Sequence, residues 1–184
     1  MNFNKHFDLK DLHSFLSPSN HHWVNYSTDK LISVYNNHKA KEEGTILHAF
    51  AAISIEKRIK LANMKKALNM FVNDAIGFKM IPEQVLYYSR NSFGTADAIA
   101  FKDNLLRIHD LKTGFSKPSF KQLDIYAALF CLEYGVNPED IQVETRMYQG
   151  NGFEVSIPEP LYIRDIMNKI IEFDSVIEDI KQLR

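Results

Sequence analysis

Apolar residues in the first third of the chain recur every three or four positions. Ile46, Ala49, Phe50 and Ile53, then Ala67, Leu68 and Phe71, predict one long or two shorter helices between about 45 and 75. Upstream, Ser17-Pro18-Ser19 predicts a short helix over His21 to Tyr26 with Ser19 as its N-cap. Gly77 breaks the helical period. Gln84 to Tyr88 is β-prone and runs into the turn-like Ser89-Arg90-Asn91-Ser92. Thr95, Asp97, Ile99 and Phe101 then alternate with Gly94, Ala96, Ala98 and Ala100. That is a strand whose second face carries only tiny side chains, so another element is expected to pack close there. Lys102-Asp103-Asn104 predicts a tight hairpin into a strand over Leu105 to Lys112.

Pro118 and Ser119 open a helix expected to run to about Tyr134, and Gly135 to Pro138 end it. Ile141 to Tyr148 and Phe153 to Ile157 read as strands joined by Gly150-Asn151-Gly152. Ile163, Ile166, Ile170, Phe173, Ile177 and Ile180 mark a C-terminal amphipathic helix. The order predicts an α/β domain with a central mixed β-sheet flanked by helices. One domain spans 1–184: a helical part over 1–76, a strand-rich core over 77–157 and a helix over 158–184.

Composition narrows the function. The chain has 184 residues, 45% hydrophobic and 24% charged, as in an ordinary globular domain. No apolar stretch is long enough to span a bilayer, and MNFNKHFDLKDL lacks an apolar h-region, so a cytoplasmic, non-membrane protein is expected. The formal net charge of −1 is not a basic nucleic-acid-binding profile. Any DNA contact must run through a local patch or through metal ions. The single cysteine, Cys131, lies in the apolar run Ala127 to Leu132, which suits a buried thiol. One cysteine excludes an internal disulfide, a cysteine-only zinc site and an iron–sulfur cluster held by four thiolates.

Candidate chemistry starts at His109-Asp110-Leu111-Lys112-Thr113-Gly114. Residues i and i+2 of a strand share a face, about 6–7 Å apart. Asp110 and Lys112 therefore continue the face of Leu106 and Ile108, and charges continuing a buried face must be paired or must bind something. Asp97, across the hairpin, counts to a position near Asp110. Two close carboxylates repel unless a cation lies between them. Oxygen ligands with open positions suit Mg²⁺ or Mn²⁺. Taken alone, Asp-x-Lys is more often a surface ion pair, His48 a satisfied core histidine, and Gln122 with Tyr126 the polar side of a helix.

In order, these pieces are Gly44-Thr45-x-x-His48, Gly94-Thr95-Ala96-Asp97, Asp110-Leu111-Lys112-Thr113-Gly114 and Gln122-x-x-x-Tyr126. Together they resemble the RecB-like branch of the PD-(D/E)XK nucleases, over roughly 44 to 148. The flavour is similar to phage exonucleases of that branch, where a Ser-x-Ser pattern precedes a Trp, as Ser17-Pro18-Ser19 precedes Trp23 here.

The resemblance implies a restriction-endonuclease-like core and hydrolysis of phosphodiester bonds in linear DNA, in phage-type recombination, repair or DNA processing. It implies His48, Asp97, Asp110 and the Leu111 carbonyl as ligands of Mg²⁺ or Mn²⁺, with Asp97, Asp110 and Lys112 catalytic. Gln122 and Tyr126 would contact DNA or organise the site. Glu83 precedes the first strand where relatives often carry an acid. Tyr26 stands where a cysteine often follows the Trp, against the cluster-bearing subgroup. Ala51 and Ala52 stand where many relatives place a Glu, leaving the second-metal geometry open, and Glu56 reads as solvated.

For phosphate contacts, Lys117 and Lys121 beside the Gln122 helix lead over Lys57, Arg58, Lys60, Lys65 and Lys66, read as a basic run on the helix after His48, and over Arg90. Phe115 and Phe120 are read as packing rather than stacking on bases. The expected partner is DNA, with a single-strand annealing or other recombination protein implied by the resemblance alone, and a homo-oligomer open. The rival expectation is a weak or inactive nuclease-fold subunit that binds DNA ends or serves assembly. A third is a sequence-specific endonuclease.

Overall fold

A computed structural model describes residues 5, 7, 12–114 and 119–183. The chain divides into two units, Met1–Glu43 and Gly44–Arg184. In the first, a 3-10 helix spans Pro18–Asn25 and helix α1 (Thr28–Glu56) begins. The expected Ser19 cap is corrected to Ser17, whose Oγ accepts from the Ser19 N–H at 3.3 Å. Proline has no N–H to satisfy and its fixed φ suits the first helical position, so the cap falls one residue before it. Asn20, with φ −110° and ψ 64°, kinks this helix, which explains its short 3-10 turns.

The helices expected between 45 and 75 are two. The first starts far earlier than its apolar stripe, at Thr28, with Ser27 Oγ accepting from the Lys30 N–H at 3.3 Å. Residues 28–43 are mostly polar and exposed, so no stripe announces them. α1 ends in a left-handed turn at Arg58, φ 55°, closed by the Ile59 N–H donating to Ser54 O at 2.8 Å. Consequently Lys57, Arg58, Lys60, Lys65 and Lys66 lie in the connection to α2 (Ala67–Gly77), not on a helix.

The second unit is built on a five-stranded sheet in the order β1 (Ile81–Ser89), β2 (Ser92–Lys102), β3 (Leu105–Lys112), β4 (Gln142–Gln149) and β5 (Gly152–Ser156). Only β3 and β4 pair in parallel, across the connection that carries α3 (Lys121–Tyr134). The other neighbours are antiparallel. The mixed α/β architecture expected from the sequence is present. α3 packs on one face of the sheet with α4 (Pro160–Gln182) against it, and α2 covers the other face.

Two local features set the site. Asp103 and Asn104 both adopt positive φ, 53° and 58°, so β2 and β3 join through a two-residue turn that locks their register. The second is an irregularity at Asp97. Gly94 and Ala96 lie on the α3 side, but so do Ile99 and Phe101, while Ala98 and Ala100 join the α2-side core. The uniform small-residue face expected from the alternation is thus corrected: the strand changes sides at Asp97. Opposite it, between the pairs Pro82↔Ala98 and Gln84↔Ala96, Glu83 has φ 49°. A left-handed residue inside a strand turns the local side-chain directions, so regular alternation fails there.

Minor boundaries also move. α3 starts at Lys121, its N–H donating to Ser119 Oγ at 3.3 Å, and ends on Gly135 with φ 63° as expected. Pro118 lies outside the described residues.

Candidate active site

β3 carries its alternation into the site. Leu106 and Ile108 are fully buried on the α3 side, and Asp110, 3% exposed, follows on the same face. Lys112 comes two residues later. Its Nζ lies 3.1 Å from Asp110 Oδ1 and 3.0 Å from Oδ2, and donates to Gln122 Oε1 at 2.9 Å. Gln122 Nε2 in turn donates to the Tyr126 hydroxyl at 3.1 Å, one turn along α3. The i, i+2 strand pair and the i, i+4 helix pair thus form one chain of hydrogen bonds.

Asp97 arrives from β2. Past the pair Ala98↔His109 the β2–β3 ladder opens, and the Leu111 N–H donates to Asp97 Oδ2 at 2.8 Å. The same oxygen lies 3.3 Å from His48 Nδ1, on α1. Glu83, on β1, completes a trio: ligand atoms of His48, Glu83 and Asp97 all lie within 4.8 Å of one another. The trio with converging atoms is therefore His48, Glu83 and Asp97. Asp110 stands beside it, held by Lys112 rather than included.

Two glycines let these elements close up. A Cβ on Gly44 would sit 2.7 Å from Thr113 Oγ1, and one on Gly94 would sit 2.9 Å from Tyr126 Cε1. Gly44 brings α1 against the end of β3, and His48 follows one helical turn later. Gly94 brings β2 against α3 at the residue that holds Gln122. Each glycine interlocks its own short motif with another.

The electrostatics follow from three carboxylates and one ammonium. The hydrogen bond to Asp97 raises the His48 pKa above its ordinary 6.5 despite burial, helped by the charges of Asp97, Asp110 and Glu83. Burial, then the Asp97 charge, push Asp110 upward against the pull of Lys112. Burial, then Asp97, do the same to Glu83. Asp110 Oδ2 is buried without a hydrogen bond among the described residues; its close lysine bonds to Oδ1. Crowded carboxylates and an imidazole form a donor set that suits a divalent cation such as Mg²⁺ or Mn²⁺.

The other expected residues are placed as follows. The Leu111 side chain is buried in the α2-side core and its N–H donates to Asp97 Oδ2; neither contact involves its carbonyl, the atom expected to bind the cation. Lys121 lines a groove of about 470 Å³ between α3 and α4, with Ile125 and Tyr162, and is not brought to the carboxylates. Phe120 packs on the α3-side core. Lys117 and Phe115 lie outside the described residues. Glu56 is exposed.

Sequence reasoning missed a second polar cluster, on the opposite face of β3. His109 is fully buried, with Nδ1 3.3 Å from the Tyr148 hydroxyl, which donates to Asp74 Oδ2 at 2.7 Å. Because that hydroxyl's proton goes to Asp74, Nδ1 carries the imidazole proton and Nε2 is left without a partner among the described residues. Arg146 reaches Asp74 at 3.4 Å and Glu144 at 3.0 Å, and Arg107 reaches Glu144 at 3.2 Å. Both guanidinium groups lie over the Phe78 ring. Burial, then Arg146 and Arg107, hold His109 neutral, its pKa lowered to about 3. The available signal was polar residues at alternate positions of strands that are otherwise apolar.

Comparison with protein-family models, with curated proteins and with solved structures finds no match for this chain. No helix among the described residues is long and apolar enough to cross a membrane.

Proposed function

We propose that this chain is a divalent-metal-dependent deoxyribonuclease with a restriction-endonuclease-like core, of the RecB-like PD-(D/E)XK type. It acts as an exonuclease on linear DNA, in phage-type recombination, repair or DNA processing. The observation that carries this reading is the convergence of His48, Glu83 and Asp97 beside the Asp110–Lys112 pair, from α1, β1, β2 and β3.

His48, Glu83 and Asp97, with Asp110 adjacent, would hold Mg²⁺ or Mn²⁺. A cation bound there supplies Lewis-acid chemistry, favouring deprotonation of water and offsetting negative charge on the phosphate. His48 must give up its proton to serve as a ligand. Asp97 orients the imidazole through the Nδ1 contact and is itself fixed by the Leu111 N–H. Lys112, pinned between Asp110 and Gln122, steadies the charge that grows on the phosphoryl oxygens as water attacks in line. Gln122 and Tyr126 keep that ammonium in place.

The test is digestion of end-labelled linear duplex DNA with Mg²⁺ or Mn²⁺, beside chelator and beside Asp110→Ala. Cation-dependent release of nucleotides from linear DNA, with circular DNA intact and Asp110→Ala silent, is the expected result. Undiminished cleavage by Asp110→Ala would overturn the assignment. Tight binding of DNA ends without cleavage would leave a nuclease-fold binding subunit, and cleavage of circles would make the enzyme an endonuclease.

A further inference from the structure

The unit Met1–Glu43 contains a pocket of about 570 Å³, and none of its lining residues belongs to the candidate active site. Its floor is aromatic: Phe15, Trp23 and Tyr26 are half-buried there. Its rim is exposed and polar, with the amides of Asn20 and Asn37 and the Lys41 side chain. Among the described residues, none that lines it is acidic.

The floor is held rigidly. Trp23 Nε1 donates to Ser17 O at 3.0 Å, and Ser17 caps the 3-10 helix that carries Trp23. Phe15 is braced edge-to-face by Tyr35 at 5.0 Å and by His38 at 5.3 Å. The indole's one donor is therefore used, and what it offers a ligand is its ring face. His38 also lies 3.8 Å from Glu42, an acid next to but outside the lining.

An aromatic floor, amide groups able to donate and accept, and a rim with no acid among the described residues favour one class of ligand. It must be planar, carry donors and acceptors on its edge, and tolerate or carry negative charge. Unpaired nucleobases meet all three conditions: they stack on aromatic side chains, pair their edges with amides and bring phosphates with them. A purely aliphatic ligand fails the first of them. We propose that this pocket binds an unpaired base of a DNA strand, stacked on the Trp23 floor with Asn20 and Asn37 reading its edge. The choice of nucleic acid among planar ligands rests on the nuclease reading above.

Trp23 is the single tryptophan of the chain, so its emission reports this pocket alone. The experiment titrates the full chain, in chelator so that nothing is cleaved, with a short thymidine oligomer and with the matching oligomer of abasic sites. Saturable quenching by the first and none by the second is the expected result. Binding of a dye-labelled oligomer should weaken about ten-fold in Trp23→Ala, the loss of roughly one stacked base, and much less in Trp23→Phe. Asn37→Ala should also weaken it while leaving the emission of the free protein unchanged.

Equal quenching by the abasic oligomer, or oligomer binding without any quenching, overturns the proposal, as does the absence of binding. If Trp23→Ala does not fold, the two titrations of the unaltered chain decide the matter alone. Quenching needs no cation and no cleavage. Quenching without DNA digestion leaves this pocket standing and removes the nuclease reading; digestion without quenching does the reverse.

Discussion

The two faces of β3 bury charge in opposite ways. On the α2 side, Arg107 and Arg146 meet Glu144 and Asp74, two cations against two anions, with Tyr148 and His109 closing the network. On the α3 side and at its margin, Glu83, Asp97 and Asp110 face one ammonium, Lys112, and one imidazole. The first set is nearly complete within the chain. The second holds a surplus of carboxylates, and the pKa values of Glu83 and Asp110 are pushed upward, the mark of charges that repel or lack solvent. A balanced buried network fixes structure, whereas an unbalanced one is completed by something from outside. That contrast, rather than burial of charge as such, separates a structural cluster from a binding site.

The sharpest way to break the comparison is to neutralise one group on each side. Asp97→Asn should lower nuclease activity by about a hundred-fold or more, the scale of removing a group that acts on the transition state. Its melting temperature in chelator should stay level or rise, because like-charge repulsion is relieved. A clear fall in stability there would place Asp97 among the structural groups.

Saturating Mn²⁺ should stabilise the unaltered protein by about 2.7 kcal/mol at a hundred times the dissociation constant, and so raise its melting temperature. It should do nothing for Asp97→Asn. The effect should fade as pH drops through the raised His48 pKa, because the ligand form of the imidazole is the neutral one. Differential scanning fluorimetry across pH measures both, and an unchanged melting temperature in the native chain would remove the cation site.

On the balanced face, Tyr148→Phe strips the partner from the buried His109 Nδ1–H and should cost about 1–3 kcal/mol in denaturant unfolding. Activity per folded molecule should survive. His109 sharpens the point through pH. Its folded pKa, about 3, is below the ordinary 6.5, so only the unfolded chain takes up the proton between those values. The stability it contributes is complete above pH 6.5 and is lost as pH falls toward 3, by at most about 1.4 kcal/mol per pH unit. His109→Gln should flatten this part of the stability profile; an unaltered slope would show that other groups set it.

The smallest expected effect tests the interlock. Gly44→Ala should slow the enzyme and cost about 1 kcal/mol or more by overpacking against Thr113 Oγ1, and Thr113→Ala should partly restore both. Strict additivity of the two substitutions would show that they do not meet.

Much of this was written locally. The period-2 pattern of β3 and the turn residues Asp103 and Asn104 fix which residues face each other, so Asp97 and Asp110 were legible as neighbours across a short hairpin. The i, i+4 spacing of Gln122 and Tyr126 did the same on α3. Gly94, among the small residues of its strand, announced close approach, though not what approaches.

Other features needed the third dimension. Residues 28–43 are helical without an apolar stripe, which leaves periodicity nothing to detect. The change of side at Asp97 comes from a left-handed Glu83 on the neighbouring strand, and no alternation within β2 reveals it. Asp74 and Tyr148 are 74 residues apart in the chain, and only the packing of α2 on the sheet joins them. Lys121 precedes Gln122 on α3 yet lines the groove with residues of α4, because adjacent helix positions point about 100° apart. By itself the sequence determined most of the elements, the hairpin register and the kinds of chemistry available, since these depend on neighbours along the chain. Tertiary packing alone decided which carboxylates were balanced and which were left over, because charge compensation is a property of groups brought together from distant segments.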